Sequence, residues 1–554
     1  MSLRQAAFGL LRKLRHSPQI PTATVIRTAK TRQTGKIYFS CYGFGQYTWK
    51  RPLGEAYLWI FLSGQAAVLL GINCRTAFAE DASINLSSED NMQEGNLTGL
   101  RKIQDGSVVS NIHTSKWRVF TDKGRDYFLQ GKLEEAERLF LSALQEAKEG
   151  FGEKDAHVAS ACNNLAELYR VKKAFDKAEP LYLEAVKILE VSFGSEDVRV
   201  AAALHNLGQL YLVQRKLQEA RMCYERALKI KRGVLGHGHV DYADTMYHLG
   251  TVLYLQGDEK DAETLIQDSV MILEEGGLGE SNICLRRRCH LAQIYIKSNR
   301  LAEGENVQRK ILHAMELTKG WNSLDTVLAA EGLCLTLQSL GNLTEAKDLL
   351  ERCLEARKTI LPEDHIQVAA NMLYIARVQM LSLNQQRKLD TSETIDELNK
   401  AKDLLGHSIR IAQQALYKSA KEENKLKHYR VSRQTRKDEH AALVILLQSL
   451  NALGLLEINE QELLESMGER SAAVGAENAY RQCISSFKEF GVGRMASSPE
   501  IKAEYLSCLK RLSSLIGDGS TDSMQQSRKA TLQELKDEIK HIEAELPNKG
   551  EHKN

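Results

Sequence analysis

Pairs of hydrogen-bonding side chains recur through the middle of this 554-residue chain: Asn163 with Asn164, His205 with Asn206, Tyr247 with His248, and Cys289 with His290. Glu167, Gln209, Thr251 and Gln293 follow the pairs at a constant offset, and Arg170 comes one helical turn after Glu167. Amides, imidazoles and a phenol both donate and accept, as a receptor for an extended peptide backbone must. These are candidates for holding a peptide; Asn164 and Asn206 serve equally well to tie neighbouring helices together. No Gly-rich phosphate loop, nucleophile elbow or His-Glu-x-x-His helix is present. His237 and His239 flank Gly238, and Cys284 and Cys289 are close, but neither pair has the further ligands that a metal site needs. No catalytic residue, metal site or cofactor is expected.

A strict period must position those pairs. Ala136, Ala178, Ala220, Ala262, Gly304 and Ala346 stand 42 residues apart. Upstream of them, again in step, come Leu165, Leu207, Leu249, Leu291, Leu333 and Ile375, each followed by a small residue: Ala166, Gly208, Gly250, Ala292, Cys334 and Ala376. Tyr169, Tyr211, Leu253, Tyr295 and Leu337 lie three residues further on, on the same helical face. In the second helix the ruler residue is followed at plus four by Phe140, Tyr182, Tyr224, Ile266 and Leu350, and at plus seven by Ala143, Ala185, Ala227, Ser269 and Cys353. One apolar stripe per helix, repeated at fixed length, predicts an all-α superhelical solenoid of antiparallel helix pairs.

The large-small-tyrosine and alanine-aromatic-alanine pattern resembles tetratricopeptide repeats, and the long period resembles the repeats of kinesin light chains. Phe193-Gly194-Ser195-Glu196-Asp197, Leu235-Gly236-His237-Gly238-His239 and Leu361-Pro362-Glu363-Asp364-His365 are similar to that family's Leu-Gly-x-x-His linker. The likeness covers roughly Phe120 to Leu383. It implies that the first helix of each unit lines a concave face, so that the polar pairs point into a groove for client proteins. The lysine-asparagine clamp with which some relatives grip a C-terminal carboxylate is not reproduced, since Asn163 and Glu167 occupy its first positions.

Departures from the pattern divide the chain. Lys123 and Gly124 replace leucine and small residue in the first unit, which suits an end cap. Gly304, Gln308 and Ile311 make the fifth unit the loosest, a place to bend or move. Residues 116–383 carry the strict repeats, 384–396 (Asn384 to Asp396) an insertion, and 397–515 degenerate helical repeats in which Ala401, Leu404, Leu405, Ile409 and Ile411 resume helical spacing. Residues 516–554 form a charged helix and tail, where Leu532, Leu535, Ile539, Ile542 and Leu546 precede Pro547 and are expected to cap the solenoid. Cys162, Cys223, Cys334 and Cys353 take positions that want a small apolar residue. They are expected to be structural; in an oxidising compartment Cys334 and Cys353, in the two helices of one unit, are the pair most worth testing.

The start of the chain differs in composition. Met1 to Gly54 contains no acid but many basic residues, and Arg4, Leu10, Leu11, Lys13, Leu14 and Arg15 fit a short amphipathic helix. Residues 1–55 read as an organelle presequence. Ala56 to Cys74 is uncharged and near the minimum length for crossing a bilayer. It is either a retained membrane anchor or the second half of a sorting signal cleaved near Ala77-Phe78-Ala79; a polar spacer over 75–115 follows. The leucine-arginine leader favours the mitochondrion, at the inner membrane or in the intermembrane space, with the chloroplast thylakoid as the alternative.

With 74 basic and 72 acidic side chains the formal net charge is +2, so no polyelectrolyte character argues for nucleic acid. One basic segment, 418–437, contains Lys421, Lys425, Lys427, Arg430, Arg433, Arg436 and Lys437, with only Tyr417 and Tyr429 as aromatic neighbours. It reads as a solvated face more than as an RNA or lipid dock. The expected function is a non-catalytic organellar scaffold that holds client segments, in the manner of repeat proteins that assist respiratory-complex assembly. The alternatives are a cytosolic kinesin-light-chain-like cargo adaptor and an organellar RNA-binding factor.

Overall fold

The computed structural model describes residues 112–385, 391–425, 433–466, 474–491, 498–518 and 525–546. Residues 1–55, expected to be a presequence, the stretch Ala56 to Cys74 and most of the expected spacer lie outside them. Every described element is an α-helix. In order they are α1 (Ile112–Leu129), α2 (Leu133–Phe151), α3 (Ala156–Val171), α4 (Phe175–Phe193), α5 (Val198–Val213), α6 (Leu217–Leu235), α7 (Val240–Gln256), α8 (Glu259–Glu275) and α9 (Asn282–Lys297). They continue with α10 (Leu301–Lys319), α11 (Leu324–Leu340), α12 (Leu343–Ile360), α13 (Ile366–Gln385), α14 (Thr391–Lys425), α15 (Arg433–Ser466), α16 (Val474–Phe490), α17 (Pro499–Asp518) and α18 (Gln525–Glu545). Each packs on its neighbours in sequence, giving a solenoid of helix pairs.

The period is a packing rule. Ala136, Ala178, Ala220, Ala262 and Ala346 have no exposed surface, and each lies one turn before a large buried residue of the second helix. The small residue of the first helix makes room for that ring. A Cβ on Gly208 would stand 2.9 Å from Tyr224 Cε1, and one on Gly124 would stand 2.7 Å from Phe140 Cε1. Gly124 thus fills the small slot of the first unit while Lys123 beside it is exposed, as an end helix requires. The tyrosines join units: Tyr169 donates to Glu137 at 2.9 Å and Tyr211 donates to Glu179 at 3.2 Å. Lys172 and Lys216 bond the same two carboxylates.

Turns and caps keep the same time. Gly131, Lys173, Arg215, Gly257, Asn299 and Gly341, at equivalent positions of the six units, all have left-handed backbone, with φ between 59° and 95°. That conformation lets the chain reverse at once into the second helix: at Lys173 the next amide, Ala174, returns to the carbonyl of Tyr169 at 2.9 Å. The following linker ends in an N-cap. Asp155 and Asp197 accept from the amides two residues on, and His239 does the same with Nδ1, 3.0 Å from the amide of Asp241. His365 repeats this with Gln367 at 3.2 Å. The histidine of the linker is therefore a helix cap, which satisfies one of the amides that a helix start leaves unpaired.

The fifth unit is closely approached. A Cβ on Gly304 would lie 3.1 Å from Ile296 Cγ1, Ile311 is 5% exposed, and Gln308 donates to the carbonyl of Gly332 at 3.1 Å. What changes there is the continuity of the core. Two large apolar clusters run through α1 to α8, small separate clusters fill the space among α7 to α10, and one continuous cluster extends from Leu312 to Ile542.

Beyond the strict repeats the same grammar returns. Ala401, Leu405 and Ser408 take the ruler, plus-four and plus-seven slots of α14, all fully buried. Helix α14 begins at Thr391, inside the stretch read as an insertion. Ala476, Tyr480 and Cys483 repeat the pattern in α16, and Gly454 makes room for the ring, since a Cβ there would stand 2.5 Å from Tyr480 Cε1. Cys483 is bonded to Cys508, joining α16 to α17, whereas Cys334 and Cys353 are free thiols. Cys334 and Cys353 pack as small apolar groups, as the sequence implies, and the disulfide joins two cysteines of the degenerate region. Asp438–Glu465 in α15 is long and apolar enough to cross a membrane, but its apolar side chains are mostly buried in this core. Helix α18 closes the stack with Leu535 and Ile542 buried, and with ion pairs from Lys510 to Glu543 (2.6 Å) and from Lys502 to Glu545 (3.1 Å).

Candidate functional site

The first helices α3, α5 and α7 touch one another directly across the units, so they form the more closely spaced wall of the stack. On it stand the polar pairs, at different depths. Asn163 is half-buried and accepts from Asn206 Nδ2 at 2.9 Å, so the asparagines of adjoining units are tied to each other. Asn164 is buried. Glu167 has no exposed surface: it accepts from Arg170 Nε at 2.9 Å and from the Tyr182 hydroxyl at 2.7 Å. Glu167 and Arg170 therefore fasten α3 to α4, and their bonds are closed within the protein. Burial, and next the Glu167 charge, push the Tyr182 hydroxyl well above its ordinary range.

His205, Tyr247 and His290 are also buried, while Gln209, His248 and Gln293 remain half-buried on the wall. His290 lies edge-on to Tyr247 and Tyr254, with ring centres 5.7 Å apart in both cases. Burial, helped by the nearby charge of Lys297, brings its imidazole down to about 4. It is a neutral ring at physiological pH.

Four residues not singled out by the sequence reading gather His205 and His248 into one cluster: Asp244, Thr245, Lys231 and Arg287. Asp244, with its side chain 38% exposed, faces His205 Nε2 at 3.3 Å and His248 Nε2 at 3.9 Å. Arg287 Nη2 donates to the same carboxylate at 2.8 Å, and its Nη1 donates to Ser269 Oγ at 2.7 Å. Lys231 Nζ donates to Thr245 Oγ1 at 2.8 Å and to the carbonyl of Asp241 at 3.1 Å. Burial raises the Asp244 carboxyl, but His248, His205, Arg287 and Lys231 around it outweigh this and hold it below the usual carboxylate range. Lys231 and Arg287 are each only 2% exposed. The signal in the sequence was a charge in an apolar slot: Lys231 stands where other units have Ala147, Leu189 and Leu273, and Arg287 stands where they have Ala161 and Ala203.

Of the basic segment, Lys427 and Arg430 lie outside the described residues, as do the side chains of Lys421, Lys425, Arg433, Arg436 and Lys437.

Residues 118–191 and 199–275 match the tetratricopeptide repeat family, and residues 332–367 match a second tetratricopeptide repeat family. No curated protein matches the chain. Among solved structures, it is similar to a Podosopora anserina kinesin-light-chain-type protein with nearly identical TPR-like repeats, at 21% identity over 36% of this chain and 95% of that one, with a TM-score of 0.33. It is also similar to the apo form of RapI, at 12% identity over 68% of this chain and 98% of that one, with a TM-score of 0.40. BtubC (BKLC) from P. vanneervenii matches at 17% identity over 58% of this chain and 95% of that one, with a TM-score of 0.26. The chain is built of tetratricopeptide repeats stacked as a helical solenoid, with kinesin-light-chain-like proteins among its structural neighbours.

Proposed function

We propose that the protein is a non-catalytic organellar scaffold that holds an extended segment of a client protein along the wall of first helices. Tetratricopeptide repeats generally serve as protein-interaction scaffolds, and the residues of this wall support the same use here. The observation that carries the reading is the set of half-buried polar side chains on this wall, Asn163, Gln209, His248 and Gln293, of which Gln209 and Gln293 hold the same slot two units apart, beside Glu167, Arg170 and Tyr182, whose bonds are closed within the protein. An extended peptide presents donors and acceptors that such a row can meet. The acid-free composition of residues 1–54 supports an organellar setting, by preference the mitochondrion, and the work proposed is assembly or maintenance of a membrane complex.

Proximity labelling from intact organelles tests the client role. Changing Asn163, Gln209 and Gln293 together to Ala is expected to remove specific partners while helical content and melting temperature stay near wild type; an unchanged partner set rejects the groove. A fluorescent fusion of residues 1–80 is expected to enter mitochondria, and a diffuse cytosolic signal would favour a cargo adaptor of the kinesin-light-chain type.

A further inference from the structure

We propose that His205, Asp244 and His248 form a binding site for a divalent transition metal ion of the zinc class on the wall of first helices. One nitrogen of each imidazole and one carboxylate oxygen lie within 4.8 Å of one another. His205 comes from α5, and Asp244 and His248 come from α7, so the ion would clasp two repeat units. A tetrahedral ion with bonds of about 2.0–2.1 Å holds its donors about 3.3 Å apart. His205 Nε2 and Asp244 Oδ2 already stand at 3.3 Å, long for a charge-assisted hydrogen bond and suited to an ion between them.

The surroundings orient the donors. The Thr245 hydroxyl donates to the carbonyl of Asp241 at 3.1 Å and accepts from Lys231 at 2.8 Å. Its remaining lone pair therefore takes the proton of His205 Nδ1, 3.1 Å away, which leaves Nε2 as the lone-pair nitrogen facing Asp244. Arg287 occupies Asp244 Oδ1 and leaves Oδ2 for the ion. Gln209, whose amide now meets His205 Nε2 at 3.0 Å, can turn to offer its oxygen, or water can complete the shell from the groove. Asp244 and His248 are partly exposed and give the ion a way in. The ion binds against the charges of Lys231 and Arg287, so the affinity should be set as much by these cations as by the ligands.

Equilibrium dialysis of the full chain with zinc chloride, and absorption spectra with cobalt(II) as a probe, test the site. One equivalent of zinc is expected to bind and raise the melting temperature. Binding should be lost in His248→Ala and Asp244→Asn, weakened about ten-fold in Thr245→Val, kept in the exposed control His313→Ala, and tightened in Lys231→Met. The last change distinguishes the site from mere structural damage, because removing a buried group would otherwise weaken whatever the fold supports. Circular dichroism identifies any variant that has not folded, and His248→Gln then replaces His248→Ala. Absence of bound zinc, or binding unaltered by His248→Ala and His248→Gln, overturns the proposal.

Discussion

Lys231 and Arg357 occupy the same slot of the repeat, three units apart, and the two regions use it differently. Each buried cation donates to the carbonyl ten residues ahead: Lys231 to Asp241 at 3.1 Å, Arg357 to Gln367 at 3.1 Å. Each also meets a side chain from the same slot of the next first helix, Thr245 in one case and Asn371 in the other, both at 2.8 Å. The residue that completes the set comes from the preceding first helix: His205 upstream, bonded to Thr245, and Glu331 downstream, bonded to Asn371 at 2.8 Å and to Arg357 at 2.8 Å. Downstream the set is a closed, wholly buried ion pair. Upstream a neutral-capable ring replaces the acid, and the acid, Asp244, has moved to the half-exposed surface. One architectural slot thus yields a structural rivet in one region and an open polar cluster in the other, and the acid of Glu331 in place of the ring of His205 is what closes the downstream set on its cation.

The largest effect should come from breaking the closed set. Glu331→Ala leaves Arg357 charged and buried without its partner, and is expected to cost about 3–5 kcal/mol. Urea denaturation at pH 8 checks it, with the double change Glu331→Ala and Arg357→Met recovering most of the loss. Equal costs for the single and double variants would deny that the pair acts as a unit.

Acidification should separate the regions by sign. His290, in the upstream wall, has its imidazole lowered from 6.5 to about 4 by burial, so the folded state excludes a proton that the unfolded chain accepts. Its contribution is complete above pH 6.5 and is lost as pH falls toward 4, an effect on the order of 3 kcal/mol. Burial raises Glu331 from 4.5 to about 7 against the opposing pull of Arg357 and Asn371, so its contribution is complete below pH 4.5 and is lost as pH rises toward 7. Hydrogen exchange followed from pH 7 to pH 4 should show loosening in α7 to α9 but not in α11 to α13. His290→Leu should abolish the upstream response.

Opening the upstream set should matter less. Lys231→Met removes an ammonium that donates to the neutral oxygens of Thr245 and Asp241, so a change of about 1 kcal/mol in melting experiments is expected, well short of the loss from Glu331→Ala. A cost equal to that of Glu331→Ala would erase the distinction between the two regions. The smallest effect concerns the turns that hold both regions in register. Lys173 and Arg215 have φ of 60° and 63° in positions where other units use glycine. Lys173→Gly should stabilise by about 0.5–1 kcal/mol by relieving left-handed strain, whereas Asn299→Gly should do little because asparagine tolerates that conformation. Thermal melts of the single variants distinguish the two.

Much of the fold was legible because close packing acts on residue size, and size is visible in a sequence. Every ruler alanine and every large-small pair went where the period required, and the end helices capped the stack. The cap role of His239 was hidden because an imidazole near glycines suggests ligation as readily as capping. The units around Ala401 and Tyr480 were blurred because intervening segments change the spacing while leaving the small-against-ring contact intact. Among the groove candidates, type alone could not separate Glu167 and Arg170, closed on each other inside the pair, from Gln209 and Gln293 on the surface. The disulfide was equally hidden, since Cys334 and Cys353 share one unit whereas Cys483 and Cys508 come together only through the packing of α16 on α17.

By itself the sequence determined the helices, their period, their turns and the face that each buries, since these follow from local propensity and from a packing rule applied at constant spacing. Only the tertiary structure decided what meets across units. His205 and Asp244 are separated by almost a full repeat, and their approach depends on how one helix pair stacks on the next. The depth of each polar group, and so whether it serves the fold or remains open to a partner, is a property of that stacking.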